Sequence, residues 1–371
     1  MRPSDLAIPG VRGLTPYQPG KPIAELEREL GIANIVKLAS NENPLGPSPK
    51  ALEAVRRILP ELHFYPDGGG YELKAALAGK LGVESNQITL GNGSNDALEI
   101  IARTFLSPEA NAVFSEHAFA VYPIVTQAVG AKARVASAHD GTRGSRYGHD
   151  LDAMANLVDG DTRVVFVANP NNPTGTYLAG SELRGFLANL PEQVIAVVDE
   201  AYFEYVSAPD YPNAVAWLPE FPNLVVTRTF SKAYGLAGLR VGYAVSSAEI
   251  ADLLNRVRQP FNVNIPALEA AKAALDDTEH LERTVRLNGE GLLRLGEALA
   301  ARKLEFIPSV GNFITFDLKQ PAGPIYEALL RQGVIVRPIA NYGMPGHLRV
   351  TVGTAEQNAV FLAALDRVLA S

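Results

Sequence analysis

The sequence has 371 residues, of which 47% are hydrophobic and 20% charged, and its formal net charge is −7. This length and apolar content predict two folded domains rather than disorder. The negative charge comes without a basic block, which argues against nucleic acid as a partner. The chain contains no cysteine and only six histidines, which show no HExxH-like spacing, so disulfides are excluded and a metal site has little support.

The uninterrupted aliphatic runs are short, and those at residues 164–168 and 194–198 span about five residues against the roughly 20 needed to cross a bilayer. Pro3, Asp5, Pro9 and Gly10 interrupt any apolar segment at the amino terminus, which therefore does not resemble a signal peptide. We expect a cytoplasmic protein without a membrane partner.

The first 37 residues contain many Pro and Gly residues without a clear period, and we predict that residues 1–37 form an N-terminal arm. After them, short β-branched runs alternate with helical patterns such as 181–189. The predicted strands lie at 112–115, 163–168, 193–199, 224–229 and 241–245. This alternation is typical of a doubly wound, mostly parallel sheet, so residues 38–264 are predicted to form a large α/β domain.

The pattern changes at about residue 265, where a long helical stretch rich in Ala, Leu, Glu and Arg runs to about residue 302. Short strands are predicted after it at 313–317, 334–337 and 348–352, with helices at 323–332 and 355–370. Residues 265–371 are therefore predicted to form a smaller α+β C-terminal domain.

In an open α/β sheet, ligands bind beyond the carboxyl ends of the strands. The segment GNGSN at 91–95 follows a short apolar run and precedes a predicted helix near Asp96. Glycine lets the backbone approach a ligand, and the free amides of a helix amino terminus favour phosphate, so Ser94 and Asn95 are candidate phosphate ligands. The alternative is a plain strand-to-helix turn with Ser94 as the N-cap. The segment matches neither GxGxxG nor a P-loop, so neither NAD nor ATP is indicated.

Three other strand ends carry polar residues: NPNNPTG at 169–175, Asp199 after an apolar run, and TFSK at 229–232. A carboxylate at the end of a buried strand needs a cationic partner or several donors. Lys232, among small residues at the edge of a sheet, can be desolvated, which lowers its pKa and lets it form Schiff bases. The alternatives are a rigid turn at 169–175, a surface lysine, and, for Arg240, an ordinary ion pair.

Taken together, these segments resemble a known family. TFSKAYGLAGLRVG at 229–242 is similar to the lysine signature of the pyridoxal 5′-phosphate (PLP) dependent aminotransferases of fold type I, and the order of Asn172, Asp199, Lys232 and Arg240 is also that of the family. The resemblance covers essentially the whole chain. Within the family the sequence is similar to histidinol-phosphate aminotransferases at LTPY (14–17), SNENPLGPSP (40–49), YPDG (65–68), GNGSND (91–96), DEAY (199–202) and LRVTVG (348–353).

The resemblance implies the PLP-dependent transferase fold of type I and gives roles to the cofactor residues. Lys232 would bind PLP covalently and act as acid and base, and Asp199 would pair with the pyridine nitrogen. Asn172 and Tyr202 would hydrogen-bond the phenolic oxygen. The phosphate would be held by Ser94, Asn95, Thr229, Ser231 and Arg240.

Two aromatic residues have roles that rest on the resemblance alone. Phe119 stands where the family places a ring stacked on the pyridine, and many relatives have Tyr or Trp there. Tyr65 would reach the cofactor phosphate of a neighbouring subunit, which implies a homodimer with a shared active site. The alternatives are a core residue at a helix start and a turn aromatic beside Pro66.

The resemblance also implies the substrates, L-histidinol phosphate and glutamate or 2-oxoglutarate. Arg349 would bind the glutamate carboxylate in one half-reaction and the substrate phosphate in the other, with Arg337 and Tyr17 as further donors. Asn41 is another candidate contact. Three alternatives stay open at this point: an aromatic or other amino-acid aminotransferase, a phosphothreonine decarboxylase of the same fold, and a PLP-binding regulator, which we disfavour because we see no DNA-binding domain.

Overall fold

The computed structural model describes residues 2–370. Its strands, in chain order, are β1 (Val36–Lys37), β2 (Ile88–Gly91), β3 (Asn111–Ser115), β4 (Lys132–Ala136), β5 (Thr162–Ala168), β6 (Ile195–Asp199), β7 (Leu224–Thr229), β8 (Gly242–Ser246), β9 (Glu305–Ile307), β10 (Phe313–Asp317), β11 (Val334–Ile335), β12 (Arg337–Pro338) and β13 (His347–Thr351).

The α-helices of the same residues are α1 (Pro3–Leu6), α2 (Pro9–Arg12), α3 (Ile23–Leu30), α4 (Pro49–Ile58), α5 (Tyr71–Leu81), α6 (Ser94–Phe105), α7 (Val121–Ala128), α8 (Leu151–Ala155), α9 (Gly180–Ala188), α10 (Ala248–Val257), α11 (Ile265–Leu275), α12 (Thr278–Ala301), α13 (Ala322–Arg331) and α14 (Ala355–Leu369). No helix in this part of the chain is both long and apolar enough to cross a membrane.

The main sheet has the strand order β2-β8-β7-β6-β5-β3-β4. β8 runs antiparallel to both of its neighbours, and the other pairs are parallel. Along β5, Val165 and Val167 belong to the hydrophobic core on one face, whereas Val164 and Phe166 belong to the core on the other. Successive side chains of a strand alternate between faces, so β-branched runs without polar interruptions produce a sheet that is buried on both sides. The predicted doubly wound, mostly parallel sheet is confirmed.

A second, antiparallel sheet has the order β12-β13-β10-β9. One strand was predicted at 334–337, and this prediction is wrong. Val334 and Ile335 pair with β1, whereas Arg337 and Pro338 pair with β13, so the run is divided between two sheets at Val336. β4 and β9 were not predicted because both are edge strands with exposed polar residues and therefore lack the apolar pattern of a buried strand.

The predicted helical stretch at 265–302 consists of two helices separated at Asp276 and Asp277, and the Asp277 side chain accepts a hydrogen bond from the His280 amide as the N-cap of α12. The buried residues of α11 pack in the core of the main sheet. In the arm, Leu26 of α3 packs with Ala39, Leu330 and Ile335. The predicted domain boundaries, 1–37, 38–264 and 265–371, stay predictions. α11 falls within the predicted C-terminal domain, but it packs with the main sheet.

The register of the main sheet brings three strand ends together. Ala168 at the end of β5 lies beside Asp199 at the end of β6, and Asp199 lies beside Thr227 of β7. The loops that follow these strands therefore begin at the same edge. This edge is where the polar strand-end segments of the sequence meet.

Candidate active site

One cavity of about 230 Å³ opens at the carboxyl ends of β5, β6 and β7. Nearly all the site residues predicted from the sequence line it. These are Tyr17, Asn41, Ser94, Asn95, Phe119, Asn172, Asp199, Tyr202, Thr229, Ser231, Lys232, Arg240, Arg337 and Arg349. The exception is Tyr65, which is 81% exposed and stacks on Phe261 with ring centroids 4.8 Å apart. Its predicted contact across a subunit boundary stays a prediction.

Lys232 follows β7 on a short loop and presents its amine to the cavity. The Nζ atom donates a hydrogen bond to the Ser40 carbonyl oxygen at 3.0 Å. The pKa of Lys232 is lowered to about 8, mainly because burial desolvates the amine and in part because the positive charge of the Arg349 guanidinium opposes protonation. About a tenth of Lys232 is therefore a neutral nucleophile at pH 7, a far larger share than for an ordinary lysine.

Asp199 ends β6 and is buried at the base of the cavity. Its Oδ2 accepts a hydrogen bond from the Tyr122 hydroxyl at 2.8 Å, and its Oδ1 accepts one from Thr227 Oγ1 at 2.9 Å. Burial raises the pKa of Asp199, while these two hydrogen bonds oppose that rise. A cation in the cavity would add the stabilisation that an ionised, buried carboxylate requires.

Asn172 and Tyr202 both line the cavity, and each has one polar atom already engaged. Asn172 Oδ1 accepts a hydrogen bond from Arg349 Nη1, and the Tyr202 oxygen accepts one from Asn41 Nδ2 at 2.8 Å. The Asn172 amide nitrogen and the Tyr202 hydroxyl proton are left as donors. Both residues can therefore donate to an oxygen of a bound molecule, and their contact with a cofactor stays a prediction.

An anion cradle forms where α6 begins. Gly93 is the N-cap, with φ of 85°, so the alternative of Ser94 as the N-cap is wrong. A Cβ on Gly93 would lie 2.4 Å from Arg240 Nη2, and a Cβ on Gly242 would lie 2.5 Å from the Ser94 amide. Gly93 therefore lets the guanidinium approach the amino terminus of the helix, and Gly242 lets β8 approach it, a combination that suits a phosphate.

A second cationic region is formed by Arg337 and Arg349, which are direct cross-strand partners on β12 and β13. Like charges directly opposite each other on one face of a sheet repel. Arg349 is buried and donates to the Ala39 carbonyl at 2.7 Å, and within residues 2–370 its Nε has no partner. Arg337 donates to the Gln18 carbonyl, and its guanidinium lies 5.8 Å from the Tyr17 ring centroid. A bound anion would relieve the repulsion and engage the free donor.

Two residues with direct contacts to the site were not found from the sequence. Tyr122 on α7 and Thr227 on β7 both hydrogen-bond Asp199. Thr227 alternates with Thr229 along β7, and this period of two could have placed both residues on one face. Tyr122 had no comparable signal, because a buried aromatic in a helix is usually a core residue.

We predict that reductive methylation of Lys232 by a small aldehyde and a borohydride reagent depends on pH with an apparent pKa near 8. At pH 8 about half of its amines are neutral, whereas an ordinary lysine is neutral in well under about 1% of molecules. The measurement is the rate of reductive methylation at Lys232 from pH 6 to 10, followed by peptide mass spectrometry. Lys319, whose pKa is raised by its hydrogen bond to Glu305, is the internal control. A midpoint for Lys232 above about pH 10 would contradict the desolvation argument.

A doubly wound sheet with a buried carboxylate, a desolvated lysine and an anion cradle at its carboxyl edge defines a class of enzyme that binds an anionic cofactor covalently. The family model for aminotransferase class I and II matches residues 33–365, and the chain belongs to this family.

Two relatives cover nearly the whole chain. The protein is 68% identical over 364 residues to histidinol-phosphate aminotransferase 2 of Methylococcus capsulatus, with 98% of each chain covered. It is 60% identical over 367 residues to histidinol-phosphate aminotransferase 2 of Pseudomonas aeruginosa, again with 98% of each chain covered.

The structure is similar to that of histidinol-phosphate aminotransferase from Sinorhizobium meliloti in complex with pyridoxal-5′-phosphate. The TM-score is 0.89 at 28% identity, covering 98% of this chain and 97% of that one. This similarity confirms the predicted fold class.

Proposed function

We propose that the protein is a PLP-dependent aminotransferase that transfers the amino group between L-histidinol phosphate and 2-oxoglutarate in histidine biosynthesis. The observation that carries the proposal is that two separate anion-binding regions, one at the start of α6 and one at Arg337 and Arg349, line the same cavity as Lys232. One suits a cofactor phosphate and the other a substrate anion. The relatives named above support this choice of substrate.

The residues of the cavity fit the polar groups of PLP. Among the described residues the buried Asp199 carboxylate has no cationic partner, and a protonated pyridine nitrogen would supply one. The neutral Lys232 amine suits the aldehyde, and the glycine-lined cradle at Arg240 suits the phosphate. When bound, PLP supplies an electron sink for the carbanion that forms when the substrate loses a proton.

The chain's own residues then have distinct tasks. Lys232 would hold the cofactor through its amine and, once released, would move a proton between the substrate carbon and C4′ of the cofactor. Asp199 would hold the proton on the ring nitrogen. Asn172 and Tyr202 would donate hydrogen bonds to the phenolic oxygen. Phe119, in the cavity wall, provides an apolar face for the ring.

Substrate recognition falls to the second cationic region. The Nε of Arg349 has no partner in the part of the chain that the structure describes, and the guanidinium can bind either the glutamate carboxylate or the phosphate of histidinol phosphate. A phosphate has three terminal oxygens, so it can also engage Arg337 and the Tyr17 hydroxyl. Asn41, which donates to Tyr202, orients that residue and lies within reach of a bound substrate.

The proposal predicts a clear preference when purified holoenzyme meets one amino donor without an acceptor. We expect histidinol phosphate to convert the bound cofactor to its amine form with a second-order rate constant at least about tenfold above that of phenylalanine. The reason is that phenylalanine offers no phosphate to Arg337 and Arg349. Stopped-flow absorbance of the cofactor measures both. Equal rates would favour an aromatic amino-acid aminotransferase, and no conversion with any amine would remove the aminotransferase proposal.

We further propose that the active unit is a homodimer and that Tyr65 completes the cofactor site of the other subunit. Tyr65 and Phe64 are 81% and 63% exposed, and Leu62 and Tyr71 nearby are exposed as well. Exposed apolar residues concentrated along one segment are typical of an interaction surface. A cytoplasmic location likewise stays a prediction from the sequence.

Mixing two inactive variants tests the shared site. Chains carrying Tyr65→Ala and chains carrying Lys232→Ala should each have little activity, but their heterodimer contains one site with both residues intact. We expect activity to recover on subunit exchange, up to about a quarter of the parent value for a random mixture. Mixing Lys232→Ala with Asp199→Ala, two residues that lie in the same cavity of one chain, is the control and should recover nothing. Proven exchange without recovery would contradict the sharing of Tyr65.

A further inference from the structure

Tyr122 on α7 is a fully buried tyrosine that lies behind the cavity wall. Its hydroxyl donates to Asp199 Oδ2 at 2.8 Å, while Thr227 Oγ1 donates to Oδ1 at 2.9 Å. Each oxygen of the carboxylate therefore accepts one hydroxyl hydrogen bond. Such a pair fixes the plane of the carboxylate as well as its position.

The Tyr122 ring also contacts two other aromatic residues. It stacks on Phe166 of β5, with centroids 4.8 Å apart and an interplanar angle of 6°. It meets Phe119 edge to face, with centroids 5.9 Å apart and an angle of 89°. Because Phe119 lines the cavity, Tyr122 connects the ring-stacking residue to the carboxylate at the base. The stack on Phe166 holds the tyrosine ring in the main sheet's core, so its hydroxyl has little freedom to move.

Electrostatics favour donation from Tyr122 to Asp199 rather than the reverse. Burial raises the pKa of Tyr122 well above its usual value, and the neighbouring Asp199 charge raises it further. The phenol therefore keeps its proton. Burial also raises the pKa of Asp199, and the hydrogen bond from Tyr122 is the largest influence that opposes this rise. Hydrogen bonding to the charged form of a carboxylate stabilises that form.

We propose that Tyr122 is a positioning residue that keeps the Asp199 carboxylate ionised and oriented toward the ring nitrogen of PLP. The inference rests on the proposed function, because it assumes that Asp199 pairs with that nitrogen. Tyr122 itself touches neither the cavity nor a ligand, and it acts through Asp199. Without its hydroxyl, the shared proton moves from the ring nitrogen toward the carboxylate, because the buried anion has lost one of its donors.

The variant Tyr122→Phe deletes the hydroxyl and keeps the ring with its two aromatic contacts. We expect its apoenzyme to bind PLP about tenfold more weakly or worse, because the Asp199 carboxylate that would pair with the ring nitrogen is then less ionised and less well oriented. The same variant should bind a PLP analogue that has carbon in place of the ring nitrogen within about twofold of the parent's affinity, because that analogue forms no bond to Asp199. Fluorescence titration of apoenzyme measures both affinities.

A matched control is Tyr177→Phe, which removes a tyrosine hydroxyl that donates to Asp210 at 2.9 Å away from the cavity. It should leave both affinities unchanged. In the holoenzyme, Tyr122→Phe should lower kcat by about tenfold and leave KM for both substrates within about threefold, because it alters the ring-nitrogen partner and not the substrate contacts.

Several outcomes would overturn the inference. Equal weakening for PLP and the analogue would show that Tyr122 shapes the site generally. Unchanged binding of both would show that the hydrogen bond does not act on the ring nitrogen. Thermal unfolding of the apoenzyme is measured alongside, and a variant that does not fold would assign Tyr122 a packing role instead. Failure of the parent itself to bind PLP would defeat the proposed function, a result that is distinct from any difference between variants.

Discussion

Replacing Lys232 with Ala should abolish turnover. Under the proposed function the variant would lose both the covalent attachment of the cofactor and the amine that moves the proton, and losing a general acid and base alone costs about 10²-fold or more. Steady-state rates with histidinol phosphate and 2-oxoglutarate measure the loss. Borohydride treatment followed by mass spectrometry should attach the cofactor to the parent chain at residue 232 and leave the variant unlabelled.

The matched control is Lys319→Ala, which removes an exposed lysine that pairs with Glu305 and Asp317 on the second sheet. It should retain the activity of the parent. Activity of Lys232→Ala within about tenfold of the parent would defeat the assignment of Lys232 as acid and base. The variant Asp199→Ala provides a contrast. We expect this variant to retain the cofactor on Lys232 but to have a very low turnover rate.

The second large effect is expected for Arg349→Ala. If Arg349 binds both the glutamate carboxylate and the substrate phosphate, kcat/KM should fall for both substrates by about 2 to 5 kcal/mol, the usual cost of removing one partner from a desolvated charge pair. This cost equals roughly 30- to 5,000-fold in rate. Separate half-reactions with glutamate and with histidinol phosphate measure it. Arg302→Ala, which removes an arginine paired with Asp366 outside the cavity, should change neither.

A milder substitution in the N-terminal arm, at Tyr17, helps to interpret the result for Arg349→Ala. Tyr17→Phe deletes one hydroxyl in the cavity wall. It should cost about 0.5 to 2 kcal/mol with histidinol phosphate and less with glutamate, because we assign that hydroxyl to a terminal oxygen of the phosphate. Equal losses for the two substrates would show that Tyr17 shapes the pocket generally. If Arg349→Ala lowered kcat/KM for only one of the two substrates, that result would contradict the shared role of Arg349.

The local chemistry of the site could be predicted from the sequence because it lies at strand ends. The β-branched runs that end at Ala168, Asp199 and Thr229 predict parallel strands, and parallel strands bring their carboxyl ends to one edge. The sequence therefore predicts that Asn172, Asp199, Lys232 and Arg240 lie close together, and the cavity does bring them together. Their roles toward a cofactor came from the resemblance to a family.

Tertiary structure decided the features that depend on contacts between distant segments. The hydrogen bond from Tyr122 to Asp199 joins a helix to a strand, and the Arg337–Arg349 pair depends on the register of β12 and β13. The division of the run at 334–337 between two sheets depends likewise on which strands lie beside it.

The periodicity of a segment shows which of its side chains face a buried environment and which face solvent. The sequence by itself therefore determined the main sheet, its two buried faces and the polar residues at its edge. Periodicity carries no information about which distant segment meets a given face. A hydrogen bond or a cross-strand pair is therefore established only when the chain packs, because it depends on the relative position of two elements rather than on the pattern within either.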